Sequence, residues 1–193
     1  MAGAWVFPGG AVDTTDGVAG TADSRLARWR VAAMRELVEE TGIWLLESGP
    51  MATNDRPSGP DVFSTVAALG DRFDDESLVY FARWITPAPL PIRFDARFFA
   101  AVVPDDLDPV IDGNELVDAA WVRPCEVLDR AADGSWAVAF PTLKTVEVFD
   151  AYTSTSRLMD HLAEVSSVGA IQPRLSVIGE LSLIHISEPT RPY

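Results

Sequence analysis

Cysteine occurs once in this chain of 193 residues, at Cys125. A single thiol excludes an intrachain disulfide and fits a reducing compartment, and nothing marks it as reactive. Histidine is nearly as scarce: His161 falls on a predicted helix and reads as structural, and His185 lies near the end of the chain. Positive charge is also short, with 15 Lys and Arg against 29 Asp and Glu and a net charge of −14. Without a basic stripe to displace phosphate counterions, nucleic acid is excluded as a bulk partner, and an anionic membrane surface equally so. No apolar run reaches the roughly 18 residues of a membrane span. Met1-Ala2-Gly3-Ala4 offers neither a basic n-region nor a long apolar h-region, so no secretory signal is read there. The expectation is a single soluble domain, 48% hydrophobic and without internal repeats, in the cytoplasm. Its oligomeric state stays open.

What the chain does have is acid in one place. Arg35-Glu36-Leu37-Val38-Glu39-Glu40-Thr41-Gly42-Ile43 sets three carboxylates and one guanidinium within two helical turns. At 100° per residue, Glu39 and Glu40 fall within about 60° on either side of Glu36, so the three share one edge. Like charges so placed repel unless something positive lies among them. Carboxylate oxygens are the ligands that magnesium, manganese and calcium prefer. Arg35, four residues before Glu39, can hold that carboxylate's orientation. Gly42 reads as the left-handed residue that ends the helix. Upstream, Trp5-Val6-Phe7-Pro8-Gly9-Gly10 is an apolar extended run closing on a glycine pair, the signature of a strand and a tight turn. The plain alternative is a solvated acidic helix face.

The remaining segments read as follows. Ala4 to Phe7 is a strand, and Ala11 to Asp23 a loop. Ser24 to Thr41 is a helix with Ser24 as N-cap, and Ile43 to Leu46 a short strand. Residues 47–60 form a loop rich in Gly, Pro, Ser and Asn. Asp61 to Leu69 and Asp75 to Phe81 are helical candidates. Leu78 to Ile85 and the stretch from Arg97 onward pair as strands, joined by Asp118 to Val122 as another. Helices follow at Pro124 to Ala132, Thr142 to Ala151 and Ser156 to Val165.

F-P-G-G followed by R-E-L-V-E-E-T-G-I resembles the Nudix box of the Nudix hydrolases, whose pattern is G-x5-E-x7-R-E-U-x-E-E-x-G-U with U aliphatic. Chance agreement at the fixed positions of the second half is on the order of one in 100,000 for a chain of this length. Counted back from Arg35, the box glycine's place holds Thr21 and the eighth position holds Ala27, while Gly10 is 25 residues before Arg35 instead of 14. An insertion of 11 residues, placed at about Asp13 to Asp23, accounts for the difference and leaves the first box glutamate unassigned.

The resemblance implies an α/β/α sandwich with a mixed sheet, and the chain is expected to lack that fold's N-terminal strands. It implies hydrolysis of a pyrophosphate linkage in a small nucleoside diphosphate derivative with Mg2+ or Mn2+. Glu36, Glu39 and Glu40 would then be metal ligands, with Arg35 orienting a carboxylate and Glu39 or Glu115 serving in catalysis. Glu115 stands about six residues before Trp121, where several Nudix enzymes carry a metal-binding or base glutamate; an ordinary loop acid is the alternative. The W-I-T-P to R-F-D-A-R-F-F segment is similar to the coenzyme A diphosphatase branch, which also lengthens the box. There Arg93 and Arg97 would meet phosphates and Phe94 or Phe98 would stack on a base, unless the arginines form structural ion pairs and the rings are core. Residues 1–180 are expected to be the Nudix domain. Residues 181–193 resemble a translated sequencing adapter and are set aside, His185 included. The competing function is a catalytically inactive Nudix-like domain that senses a nucleotide metabolite.

Overall fold

Helix α1, Ala27–Thr41, places Val31, Met34, Val38 and Thr41 on one buried stripe, as the recurrence of apolar residues every three or four positions requires. The computed structural model describes residues 3–16, 26–111, 113, 116–178 and 181–185. Ser24, expected as N-cap, lies outside them. The N-cap is Leu26, which makes no side-chain capping bond. At the other end Gly42 turns left-handed, with φ of 67°, and its N–H donates to the Val38 carbonyl. An added Cβ there would strike the Thr53 carbonyl, so glycine is needed twice over.

The chain divides into two units, Met1–Leu78 with Ala101–Leu158, and Val79–Ala100 with Met159–Tyr193. In the first unit α1 leads into β1, Ile43–Trp44, which pairs antiparallel with β2, Met51–Ala52. Helix α2 follows at Pro60–Ala68. Val38, Trp44, Leu46, Val62 and Val66 pack into one buried cluster, with Phe73 laid against it. Each such side chain contributes roughly 1.5–3 kcal/mol by leaving water. The cluster therefore fixes α1 from the side opposite its glutamates. Helices α3, Pro124–Ala132, and α4, Phe140–Phe149, pack on each other in the same unit.

The predicted strand at Ala4 to Phe7 is reduced to one residue. Trp5 bridges in parallel to Val138, donating to the Ala137 carbonyl at 2.7 Å and accepting from Ala139 N–H at 3.1 Å. Its ring stacks on Trp136 at 3.9 Å, and the Arg130 guanidinium covers Trp136 at 4.4 Å.

In the second unit β3, Val79–Ile85, lies between β4, Asp95–Ala100, antiparallel, and β5, Ala170–Ile171, parallel. This is the expected mixed sheet. A register shift between Tyr80 and Ala82 leaves Phe81 as the extra residue of a bulge. Strands β6, Arg174–Ile178, and β7, Leu181–His185, form a separate antiparallel pair. Helix α5, Thr155–Ala163, spans the junction of the two units in sequence.

Two expected elements are corrected. The helical candidate at Asp75 to Phe81 is a single 3₁₀ turn, Asp75–Ser77, capped by Asp74, after which alternate burial of Ala82 and Trp84 makes a strand. Among the described residues, no strand forms at Asp118 to Val122. Val117 is 79% and Trp121 58% exposed, and the Trp121 indole donates to the Leu107 carbonyl instead of joining a sheet. No described helix is long and apolar enough to cross a membrane.

Candidate active site

Arg35 organises the acidic helix. It is 4% exposed and all five of its N–H groups are used. Nε donates to Asp16 Oδ1 at 2.8 Å and Nη2 to Asp16 Oδ2 at 3.2 Å, a fork-to-fork pair. The second Nη2 bond goes to the Ala11 carbonyl at 2.9 Å. Nη1 divides itself between Glu36 Oε1 at 2.9 Å and Glu39 Oε2 at 3.2 Å. These partners, the hydrogen bond to Asp16 first, raise the arginine's pKa further above its already high value.

Backbone N–H groups complete the cradle. Gly59, ahead of α2, donates to Glu39 Oε1 at 2.6 Å, and Gly9 donates to Glu40 Oε2 at 2.9 Å. Gly10 lies so close to Glu36 that an added Cβ would stand 2.6 Å from Oε2. The glycine pair is thus a surface cut to fit two carboxylates. Burial pushes the Glu36 carboxyl up from its ordinary range, against the lowering effect of Arg35.

The structure therefore brings Arg35, Glu36, Glu39 and Glu40 together on one side of α1. Glu115 lies outside the described residues. Arg93 and Arg97 belong to the second unit, on and before β4. Arg93 Nε donates to the Thr86 carbonyl at 3.3 Å, and Arg97 pairs with Asp95 at 3.5 Å. Arg83 takes the same aspartate in a bidentate grip at 2.8 and 2.7 Å. Phe94 is 66% exposed and is not core, whereas Phe98 meets Phe81 edge-on.

No family model matches the chain. It is similar to "Putative nudix hydrolase 7" of Caenorhabditis elegans, 31% identical over 150 residues, covering 73% of this chain and 48% of that protein. The chain thus spans about half the length of that curated relative. It is also similar to a crystal structure of a Nudix hydrolase from Alicyclobacillus acidocaldarius, with 28% identity, a TM-score of 0.66, and coverage of 82% of this chain and 81% of that one. These likenesses support the Nudix hydrolase superfamily for this chain.

Set on the Nudix pattern, the structure shows what counting back from Arg35 missed. Asp16 has no exposed surface and grips Arg35, and counted forward from Gly10 it is G-x5-D. The signal for Asp16 in the sequence is its forward spacing from Gly10. The extra residues therefore fall between Asp16 and Arg35, where 18 residues stand against the pattern's seven. Asp13, earlier assigned to the insertion, belongs to the site's edge, with its N–H on Asp16 Oδ2 at 2.6 Å.

The Nudix box implies a divalent cation, and the residues fit one in donor chemistry. Glu36, Glu39 and Glu40 supply hard oxygen donors, and Glu36 Oε2 accepts no hydrogen bond among the described residues. Their carboxylates are spread over the N–H groups that hold them. Among the described residues, no group of three or more His, Cys, Asp or Glu side chains converges as a metal site.

Proposed function

We propose that the chain hydrolyses a pyrophosphate linkage in a nucleoside diphosphate derivative, coenzyme A or an acyl-coenzyme A being the favoured class, with Mg2+ or Mn2+ held by Glu36, Glu39 and Glu40. One observation carries the reading: a buried, fully bonded Arg35 orients two glutamates of a helix whose third is held by the F-P-G-G turn. The cation, when bound, offsets phosphate charge and makes a water more acidic.

The chain's own part is orientation and proton transfer. A water oxygen adds in line at one phosphorus, the anhydride P–O bond breaks, and the leaving phosphate keeps the electron pair. Glu39, its two oxygens fixed by Arg35 and Gly59, takes the water's proton. Glu115 is the second candidate for that step. Arg93 and Arg97 are proposed to meet phosphate oxygens, and exposed Phe94 to stack on a base. The lengthened box and the R-F-D-A-R-F-F segment are what favour the coenzyme A class.

The test is incubation of the protein and Mg2+ or Mn2+ with coenzyme A, ADP-ribose, NADH and dinucleoside polyphosphates, with products resolved by chromatography. Cleavage at a pyrophosphate is expected for at least one, coenzyme A foremost. Folded protein that binds a nucleotide yet releases no product from any of them would favour the sensing role instead.

A further inference from the structure

A pyrophosphate brings several negative oxygens to a helix that is itself negative, and a bound cation does not cover them all. An arginine near the helix whose charge no carboxylate has matched would take the remainder. Arg35 is not that residue, because its N–H groups are spent. Elsewhere in the first unit Arg72, Arg123 and Lys144 are taken by Glu47, Glu126 and Glu147.

Arg56 is placed differently. It lies in residues 53–59, between β2 and α2, and this segment is strapped to the last turn of α1. Thr53 N–H donates to the Gly42 carbonyl at 3.0 Å, and Gly59, with φ of 56°, donates to Glu39. Between those anchors Arg56 Nη1 donates to the Val110 carbonyl at 2.5 Å, and Val110 N–H donates in turn to the Thr41 carbonyl at 2.7 Å. The bonds around Arg56 thus reach Glu39, Thr41 and Gly42, the turn that also carries Glu40. Its partner is a neutral carbonyl. Among the described residues Arg56 pairs with no carboxylate, and its Nε and Nη2 edge makes no hydrogen bond. That edge is the fork that fits two phosphate oxygens side by side. A half-buried guanidinium fixed at one corner also loses less freedom on binding than a loose one.

We infer that Arg56 is a substrate-binding residue, presenting its Nε and Nη2 edge to two oxygens of the substrate's pyrophosphate beside the last turn of α1. The inference rests on the diphosphate reading above and deepens it. The strap gives the arginine its place: Gly59 and Thr53 fix the segment's ends, and Val110 fixes the guanidinium.

The test is calorimetric binding of imidodiphosphate, whose P–N–P bridge replaces the scissile oxygen, with Mg2+ present, in the wild type, Arg56→Gln and Arg56→Lys. Mn2+ affinity is measured in parallel by electron paramagnetic resonance, and folding is checked by circular dichroism. Arg56→Gln should bind imidodiphosphate about 10- to 100-fold more weakly, as the loss of charge-assisted hydrogen bonds requires. Its Mn2+ affinity should match the wild type, since no proposed metal ligand changes. Arg56→Lys keeps the charge without the fork and should recover only part of the loss. For any nucleotide the protein cleaves, KM should rise.

Folded Arg56→Gln that binds imidodiphosphate as tightly as the wild type would overturn the inference and leave the proposed reaction standing. Equal losses of imidodiphosphate and Mn2+ binding would also overturn it, by showing that Arg56 only holds the strap. Binding that depends on Arg56, in a protein that cleaves no nucleotide, would uphold the phosphate site and count against hydrolysis. Should Arg56→Gln not fold, the wild type decides by NMR. The Arg56 Nε–H resonance should shift and gain protection from exchange as imidodiphosphate is added; a resonance that stays in place would overturn the inference.

Discussion

A carboxylate on an open helix face is free to turn, and Glu36, Glu39 and Glu40 are not. Each accepts a hydrogen bond from a named donor, Glu36 from Arg35, Glu39 from Arg35 and Gly59, and Glu40 from Gly9, while the Gly10 backbone crowds Glu36. Replacing Glu40 by Gln keeps the size of the side chain and removes its charge. Turnover should drop on the order of 100-fold or more while the circular dichroism spectrum and melting temperature stay close to the wild type. Undiminished turnover would remove Glu40 from the proposed metal set. Gly10→Ala tests shape without touching charge. Its methyl group meets the Glu36 carboxylate, which must swing away, costing about 1–3 kcal/mol. At roughly 2–4 °C per kcal/mol for a chain of this size, a lower melting temperature and weaker Mn2+ binding should appear together. A variant impaired in neither would show that Glu36 has room to spare.

Helix α1 was legible because its signals agree. The apolar stripe, the arginine four residues before Glu39 and the terminal glycine all specify one helix over Ala27–Thr41. The Asp118 to Val122 segment looked like a strand because apolar residues surround Trp121, but a strand needs a neighbour and the indole found the Leu107 carbonyl instead. Asp75 to Phe81 misled for the opposite reason, since its acids suit a helix start while Val79 and the residues after it suit a sheet. Asp16 was hidden by extra chain between it and Arg35, which no periodicity bridges. The β3–β4 pairing carries its own titration. Arg83 holds the Asp95 carboxyl below its ordinary value of 3.8. A lowered pKa contributes stability above that ordinary value, and the contribution is lost as pH falls through the lowered one. Relative to the intrinsic rate at each pH, amide exchange across Tyr80–Phe99 and Arg83–Arg97 should therefore quicken on acidification below about pH 4. In D95N it should be faster at neutral pH and less sensitive to acid. Equal acid sensitivity in both proteins would assign the effect elsewhere.

At the scale of the whole molecule, every contact that sets Glu36, Glu39 and Glu40 in the hydrogen bonds described above comes from the first unit. Removing Leu181–Tyr193 deletes β7 from the second unit and should leave Mn2+ affinity unchanged; a weaker complex would give that segment a role in the site. Order of synthesis matters here as well. Trp5 is made before Ala137 and Ala139, which anchor it and follow about 130 residues later. At about 5–20 residues per second, that is a delay of roughly 7–26 s. Helix α1 and the Val38–Trp44–Val62 cluster draw on local chain and can assemble in that interval. The glycine turn that receives Glu36 and Glu40 waits for its anchor, so the nascent protein owns its acidic helix well before it owns a finished site.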